Sequence, residues 1–121
     1  MNLNDNIQTG RQGENIAKEY VKKCGMNIID CNWHYSKNAE IDIIAEENDT
    51  IVFIEVKTRK SLNYGHPFES ITQDKINKIH KAMLAYIQLC EKKYKTMRFD
   101  GIAIIGLSNP VIEHIKNIGQ Y

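Results

Sequence analysis

The chain has 121 residues, of which 42% are hydrophobic and 26% are charged, and its formal net charge is +1. This composition excludes a disordered chain, and the length predicts a single domain over residues 1–121 that needs no disulfide or zinc to fold. The sequence has no apolar run near the ~18 residues of a membrane span and no signal-peptide core, and its three cysteines lack paired spacing, so we expect a cytoplasmic protein without membrane contact.

The first half of the chain predicts one helix followed by three strands. Thr9 and Gln12 have the spacing of a capping box, and Gly25 is placed to end the helix. Three runs rich in β-branched and aromatic residues then predict strands at 27–35, 39–46 and 50–58. The second and third strands flank a short polar turn, which predicts a hairpin.

The second half begins with a loop over residues 59–69 and continues with an amphipathic helix. Ser70 and Thr72 compete as the N-cap of that helix. A buried strand is predicted at 98–107, and 111–118 fits either a short final strand or a helical turn. The order αβββαβ predicts an α/β fold whose mixed sheet is flanked by helices, with the strand after the second helix running parallel to the third strand.

Charged residues interrupt the two apolar strands of the predicted hairpin. Glu40 and Asp42 lie on one strand, and Glu55 and Lys57 lie on the other. A hairpin centred on residues 48–49 places Asp42 opposite Glu55 and Glu40 opposite Lys57, with Cβ atoms roughly 4.5–5.5 Å apart. Two carboxylates at that distance repel each other, and a divalent cation would relieve the repulsion.

The same pattern has a simpler interpretation, which the spacing alone leaves open. The hairpin face would be solvated, with a salt bridge between Glu40 and Lys57 and an exposed Asp42. Glu14 favours a buried acidic site, because it leads the inward apolar stripe of the first helix. The alternative for Glu14 is an acid that interacts favourably with the helix N-terminus.

Basic and aromatic residues follow the third strand and continue onto the second helix. Three ring-bearing residues of the loop, Tyr64, His66 and Phe68, either line a groove that follows a phosphate backbone or pack against one another. The basic residues are candidates for contacts with nucleic-acid phosphates, and the alternative is a solvated charged surface. These candidates are Arg59, Lys60, Lys75 and Lys78.

Five segments carry a resemblance that covers nearly the whole chain. They are GRQGENIAKEYV, NAEIDIIAEENDTIVFIEVKTR, YGHPFESITQDKINKI, RFDGIAII and IEHIKNI. Together they resemble the YraN-like bacterial family, which is similar to archaeal Holliday-junction resolvases in the PD-(D/E)xK restriction-endonuclease-like superfamily. The resemblance implies a restriction-endonuclease-like core with a metal-dependent nuclease site.

The resemblance also implies roles for individual residues. Asp42 and Glu55 would hold Mg²⁺ or Mn²⁺, and Lys57, Glu14 and Glu40 would complete the catalytic site. The expected activity is that of a divalent-metal-dependent DNA endonuclease selective for branched DNA or single-stranded regions, and a homodimer is expected by analogy with resolvases. Two alternatives stay open: a nucleic-acid-binding module whose site is silent or depends on a partner, and a purely structural adaptor.

Overall fold

A computed structural model describes residues 3–37, 39–61 and 65–118 of the chain. The secondary structure follows the predicted order, with a short 3₁₀ helix added before the second helix. The elements are α1 (Leu3–Lys23), β1 (Asn27–Ser36), β2 (Ala39–Glu47), β3 (Thr50–Arg59), the 3₁₀ helix (Pro67–Ser70), α2 (Gln73–Leu89), β4 (Thr96–Ile105) and β5 (Val111–Ile115).

The five strands form one mixed sheet in the order β1-β2-β3-β4-β5. Strands β1, β2 and β3 pair antiparallel, β4 joins β3 in parallel, and β5 returns antiparallel to β4. The predicted parallel fourth strand is therefore confirmed, since the crossover through α2 returns the chain in the direction of β3. The final segment is a strand and not a helical turn.

Each helix covers one face of the sheet and encloses its own apolar core. The core beneath α1 contains Ala17 and Val21, and the core beneath α2 contains Ile79 and Met83. Alternating residues of the central strand β3 enter the two cores, as a strand buried on both faces requires. The protein thus has a three-layer α/β/α architecture, in agreement with a restriction-endonuclease-like core.

The helix starts differ in part from the predicted ones. Helix α1 begins at Leu3, so Thr9 and Gln12 lie inside the helix and their capping-box spacing does not mark its start. Residues 3–8 contain neither proline nor glycine, so nothing in this stretch stops the helix before Thr9. Helix α2 uses the cap residue Thr72, whose Oγ1 accepts a hydrogen bond from the main-chain N–H of Lys75 at 3.1 Å. Neither helix, as far as the chain is described, is long and apolar enough to cross a membrane.

Candidate metal and active site

The observed register of the β2–β3 hairpin is the predicted one, and it ends one residue before the two predicted metal-binding acids. Ile43 pairs with Ile54, which is the pairing that a turn centred on residues 48–49 predicts. Asn48 has φ of 55°, a left-handed conformation that asparagine tolerates in tight turns. Continuing this register by one residue brings Asp42 next to Glu55, at the end of the paired segment.

The side chains of β2 switch from one face of the sheet to the other at Asp42. Ile41 packs in the core beneath α2, whereas Ile43 packs in the core beneath α1, although residues two apart on a regular strand share one face. On the neighbouring strand β1, Asn32 lies between the partners of Ile41 and Ile43 and has φ of 50°. The irregular backbone at Asn32 and Asp42 therefore interrupts the alternation of side chains between the two faces of β1 and β2.

A polar pocket of about 490 Å³ opens between α1 and this irregular stretch of the sheet. Its lining includes the carboxylates of Glu14, Glu40 and Asp42 and the amide of Asn32. The Asn32 Nδ2 donates to Glu14 Oε1 at 2.9 Å and to Glu40 Oε1 at 3.4 Å. One amide therefore connects an acid of the helix to an acid of the sheet, and the predicted inward position of Glu14 brings it to the same pocket as Asp42.

Close packing of α1 on β3 fixes the position of Glu14. Gly13 is buried, and a Cβ atom at this residue would overlap the side chain of Thr58. The helix therefore lies closer to β3 than any larger residue at position 13 would allow. Glu14, the next residue, is held at the pocket by this contact.

Asp42 is half-buried and is held by the main chain of β3. Its Oδ2 accepts a hydrogen bond from the Val56 N–H at 2.8 Å. Burial, followed by repulsion from Glu14, Glu55 and Glu40, raises the pKa of the Asp42 carboxyl to about 7. The structure therefore does not have the solvated Asp42 of the simpler interpretation, and a positive charge near Asp42 would favour its ionised form.

Glu55 is buried, with 9% of its surface exposed, and two lysines meet the same carboxylate oxygen. The Nζ of Lys75 lies 2.6 Å from Glu55 Oε1, and the Nζ of Lys57 lies 3.4 Å from it. The second oxygen, Oε2, is buried without a hydrogen-bond partner among the described residues. Burial lowers the pKa of Lys57, and although burial also opposes the charge of Lys75, the hydrogen bond with Glu55 raises the pKa of Lys75.

The salt bridge between Glu40 and Lys57, which the simpler interpretation requires, is replaced by other contacts. Lys57 contacts Glu55 on its own strand, while Glu40 Oε1 lies 3.5 Å from His34 Nε2 and accepts from Asn32. Lys57 therefore contacts the predicted metal ligand Glu55, and Glu40 instead shares the amide of Asn32 with Glu14.

The predicted nucleic-acid contacts fall at different places. Arg59 lines the pocket and is exposed, and Lys60 is exposed beside it. Lys78 is exposed on α2 and forms an i,i+4 pair with Asp74 at 3.1 Å. Lys75, by contrast, is turned inward to Glu55, so this lysine lies in the acidic site and not on the outer face of the helix.

The loop aromatics that are described pack with the protein itself. The rings of His66 and Phe68 have centroids 5.8 Å apart, and His66 Nε2 contacts the carboxylate of Glu113. Phe68 fills the space above Gly101, the residue of β4 that pairs with Glu55. Tyr64 lies outside the described residues.

The sequence did not predict Asn32 as a site residue, and it predicted Lys75 as a phosphate contact and not as a partner of Glu55. Asparagine is depleted in strands, so Asn32 in the middle of β1 was a signal of irregular backbone. Lys75 lies next to Ile76 of the buried stripe, a position from which a long side chain reaches past the helix edge. Within the described ranges, no group of three or more histidine, cysteine, aspartate or glutamate side chains is arranged to hold a metal ion.

Comparisons with known proteins place the chain in one family. The sequence model described as "Uncharacterised protein family UPF0102" matches residues 13–104. A UPF0102 protein of Pseudarthrobacter chlorophenolicus is 40% identical over 114 residues, covering 93% of this chain and 86% of the relative. UPF0102 proteins of Persephonella marina and Chlorobium limicola are 44% and 49% identical, covering 89% and 79% of this chain and 90% and 74% of the relatives, respectively. The chain therefore belongs to the uncharacterised protein family UPF0102, the YraN-like family that its motifs resemble.

Proposed function

We propose that this protein is a divalent-metal-dependent endonuclease that hydrolyses phosphodiester bonds in DNA. The observation that carries the proposal is the electrostatic repulsion between half-buried Asp42 and buried Glu55, whose Oε2 lacks a hydrogen-bond partner among the described residues. A buried carboxylate oxygen without a partner is costly for folding alone. Such an oxygen beside a second carboxylate is what a cation-binding site requires.

The donor set fits a hard divalent cation. Mg²⁺ and Mn²⁺ accept carboxylate oxygens and complete their coordination with water and main-chain carbonyls, so Asp42 and Glu55 are sufficient side-chain ligands. When bound, such an ion polarises the phosphate, lowers the pKa of water and neutralises the departing oxygen. Removal of a proton from Asp42, whose pKa is about 7, would accompany binding below neutral pH.

The remaining residues of the site have separate roles in the proposal. Lys57, 3.4 Å from Glu55, is placed to neutralise negative charge that develops on the phosphate oxygens. Asn32 holds Glu14 and Glu40 in fixed positions around the pocket, where the two acids orient water. Arg59 is exposed at the pocket and is placed to bind a flanking phosphate of the backbone.

The substrate class in the proposal is DNA with branches or single-stranded regions. Its support is the resemblance of the five sequence segments to the YraN-like family, which is similar to Holliday-junction resolvases, in which two active sites cut two strands. A homodimer of this chain would supply the second site by symmetry. An activity on unbranched DNA would still agree with the chemistry of Asp42 and Glu55 but would remove the selectivity from the proposal.

A nucleic-acid-binding module with a silent site is the second candidate, and one observation favours it. Lys57 and Lys75 already neutralise Glu55, so this acid does not need a metal ion for charge balance. Such a module would bind DNA in EDTA and would not cut DNA at any metal concentration. A purely structural adaptor would do neither.

A nicking assay on labelled junction, flap, single-stranded and duplex DNA separates these candidates. We expect the wild-type protein to cut with Mg²⁺ or Mn²⁺, to prefer junction or flap DNA, and to be inactive in EDTA. The Asp42→Asn protein, purified in parallel, should lose the activity, which excludes a contaminating nuclease as its source. Gel shifts in EDTA with unchanged DNA in Mg²⁺ would instead establish the silent binding module.

A further inference from the structure

One carboxylate oxygen in the candidate site has two ammonium groups as neighbours. Lys75 Nζ is 2.6 Å and Lys57 Nζ is 3.4 Å from Glu55 Oε1, so the closer and stronger ion pair is the one with α2. The Lys75 ammonium also interacts electrostatically with Asp42, so in the metal-free protein it supplies positive charge to both acids. A divalent ion held by Asp42 and the unpartnered Oε2 of Glu55 would supply that charge instead, so Lys75 and the ion compete for the two acids.

The position of Lys75 in α2 is unfavourable for a purely structural lysine. The main-chain N–H of Lys75 donates to Oγ1 of the N-cap residue Thr72. Lys75 therefore lies in the first turn of α2, where the helix dipole disfavours positive charge. On the same helix Lys78 points to Asp74 in solvent, one turn later. Glu55 is the acid that the Lys75 ammonium contacts directly, and the charge of Asp42 attracts the same ammonium.

We propose that Lys75 is a displaceable counter-cation: it neutralises Glu55 in the metal-free protein, gives way to the divalent ion, and then binds a phosphate of the nucleic acid. This inference rests on the proposed nuclease function, because the same Glu55 serves as the metal ligand. The lysine side chain is 35% exposed and has a flexible four-carbon stem, so its ammonium can leave Glu55 by a change of side-chain rotamer.

Two kinds of data follow from this exchange. First, Lys75 and the divalent ion compete for Glu55, so removal of the lysine charge should strengthen metal binding. Second, the ammonium becomes available to DNA only after metal binds, so its contribution to DNA affinity should appear with metal and disappear without it. A lysine that only supports the fold produces neither effect.

The first measurement is the affinity for Mn²⁺, followed by the electron paramagnetic resonance signal of the free ion. We expect Lys75→Gln, which keeps a hydrogen-bond donor for Glu55, to bind Mn²⁺ about tenfold more tightly than wild type. Lys75→Arg keeps the ion pair and should bind as wild type does. Lys78→Gln is the matched control on the same helix, and its Mn²⁺ affinity should also equal that of wild type.

The second measurement is the salt dependence of junction-DNA binding, with Ca²⁺ in place of Mg²⁺ or with EDTA. For each protein, the slope of log affinity against log salt is measured in Ca²⁺ and in EDTA, and the difference between the two slopes is compared. This difference should be about 0.9 larger in wild type than in Lys75→Gln, because Lys75 neutralises one phosphate only when metal is bound. Lys78→Gln should show the wild-type difference between Ca²⁺ and EDTA. The comparison between variants removes the effect of Ca²⁺ on DNA itself.

The outcomes separate this inference from the proposed function. If Lys75→Gln binds Mn²⁺ equally or more weakly than wild type while wild type still cuts DNA, the exchange is wrong and the nuclease stands. If wild type binds no Mn²⁺ but Lys75→Gln does, the lysine blocks the site and is not displaced, so both the exchange and the wild-type nuclease fail. If no variant binds Mn²⁺, both are overturned.

Discussion

Replacement of Asp42 by asparagine is expected to stabilise the metal-free protein at about pH 8 by up to about 4 kcal/mol. The reason is the pKa of the Asp42 carboxyl, which burial and the three neighbouring acids raise from 3.8 to about 7. Ionisation of the folded protein at high pH therefore costs free energy that asparagine does not incur. The amide oxygen of asparagine can still accept the hydrogen bond from the Val56 N–H.

The sign of the pH dependence follows from the raised pKa. Below about pH 4, the carboxyl is protonated in both the folded and the unfolded protein, so the contribution to stability is fully present. Between about pH 4 and pH 7, the unfolded chain loses its proton first, and the free energy of unfolding falls by up to about 1.4 kcal/mol per pH unit. Above about pH 7, both states are ionised and the contribution is constant.

Urea unfolding of wild type and Asp42→Asn in EDTA, at about pH 5 and about pH 8, measures this effect. The difference between the two proteins should widen as the pH rises, and the other titrating groups cancel in the comparison. A loss of several kcal/mol in Asp42→Asn would contradict the expectation. Asp42 would then be a structural hydrogen-bonding residue, and its role as a metal ligand would fail.

The opposite effect is expected for Asp100, a fully buried acid of β4. Its carboxylate accepts from Arg98 Nε at 2.9 Å, from His114 Nε2 at 2.8 Å and from the Asn117 N–H at 3.0 Å. Burial alone would raise its pKa, but the hydrogen bonds from His114, Arg98 and Asn117 lower the pKa of Asp100 below its usual value. His114 in turn contacts Tyr20 of α1 at 2.9 Å, so Asp100 connects β4 and β5 to the helix.

Replacement of Asp100 by asparagine should cost about 3–5 kcal/mol of stability, because Arg98 and His114 lose the buried carboxylate that both contact. Of the ion pairs of Arg98 among the described residues, only the longer one with Glu47, at 3.7 Å, remains. In a protein of this length the melting temperature should fall by roughly 10 °C or more. Asp74→Asn removes an acid of an exposed ion pair in the first turn of α2 and is the matched control, for which a loss of at most about 1 kcal/mol is expected. A loss below about 1 kcal/mol in Asp100→Asn would show that water satisfies Arg98 and that the connection is not structural.

Local patterns were sufficient to predict most of the fold. The two-residue turn at residues 48–49 determined the predicted register of the hairpin, and a slip of one residue would have moved every side chain of one strand to the opposite face of the sheet. The crossover helix required β4 to run parallel to β3. The start of α1 was predicted incorrectly, because the capping-box spacing of Thr9 and Gln12 also occurs inside a helix.

The predicted site was incomplete where long-range contacts decide the side-chain direction. The register placed Asp42 beside Glu55, but helical periodicity placed Lys75 off the buried stripe and gave no sign of its contact with Glu55. The left-handed backbone of Asn32 and the change of facing at Asp42 arise from the pairing of two strands. The connection of Tyr20 to His114 spans 94 residues, so no window of the sequence contains it.

A thermal melt with and without divalent ions tests most directly the claim that Asp42 and Glu55 together hold a cation. For a site with a dissociation constant of about 1 mM, about 10 mM Mg²⁺ stabilises the native state by roughly 1.4 kcal/mol. The melting temperature of wild type should therefore rise by about 3–7 °C in Mg²⁺ or Mn²⁺ relative to EDTA. Asp42→Asn and Glu55→Gln should show no such rise. An unchanged wild-type melting temperature in both ions, or an equal rise in both variants, would contradict the claim.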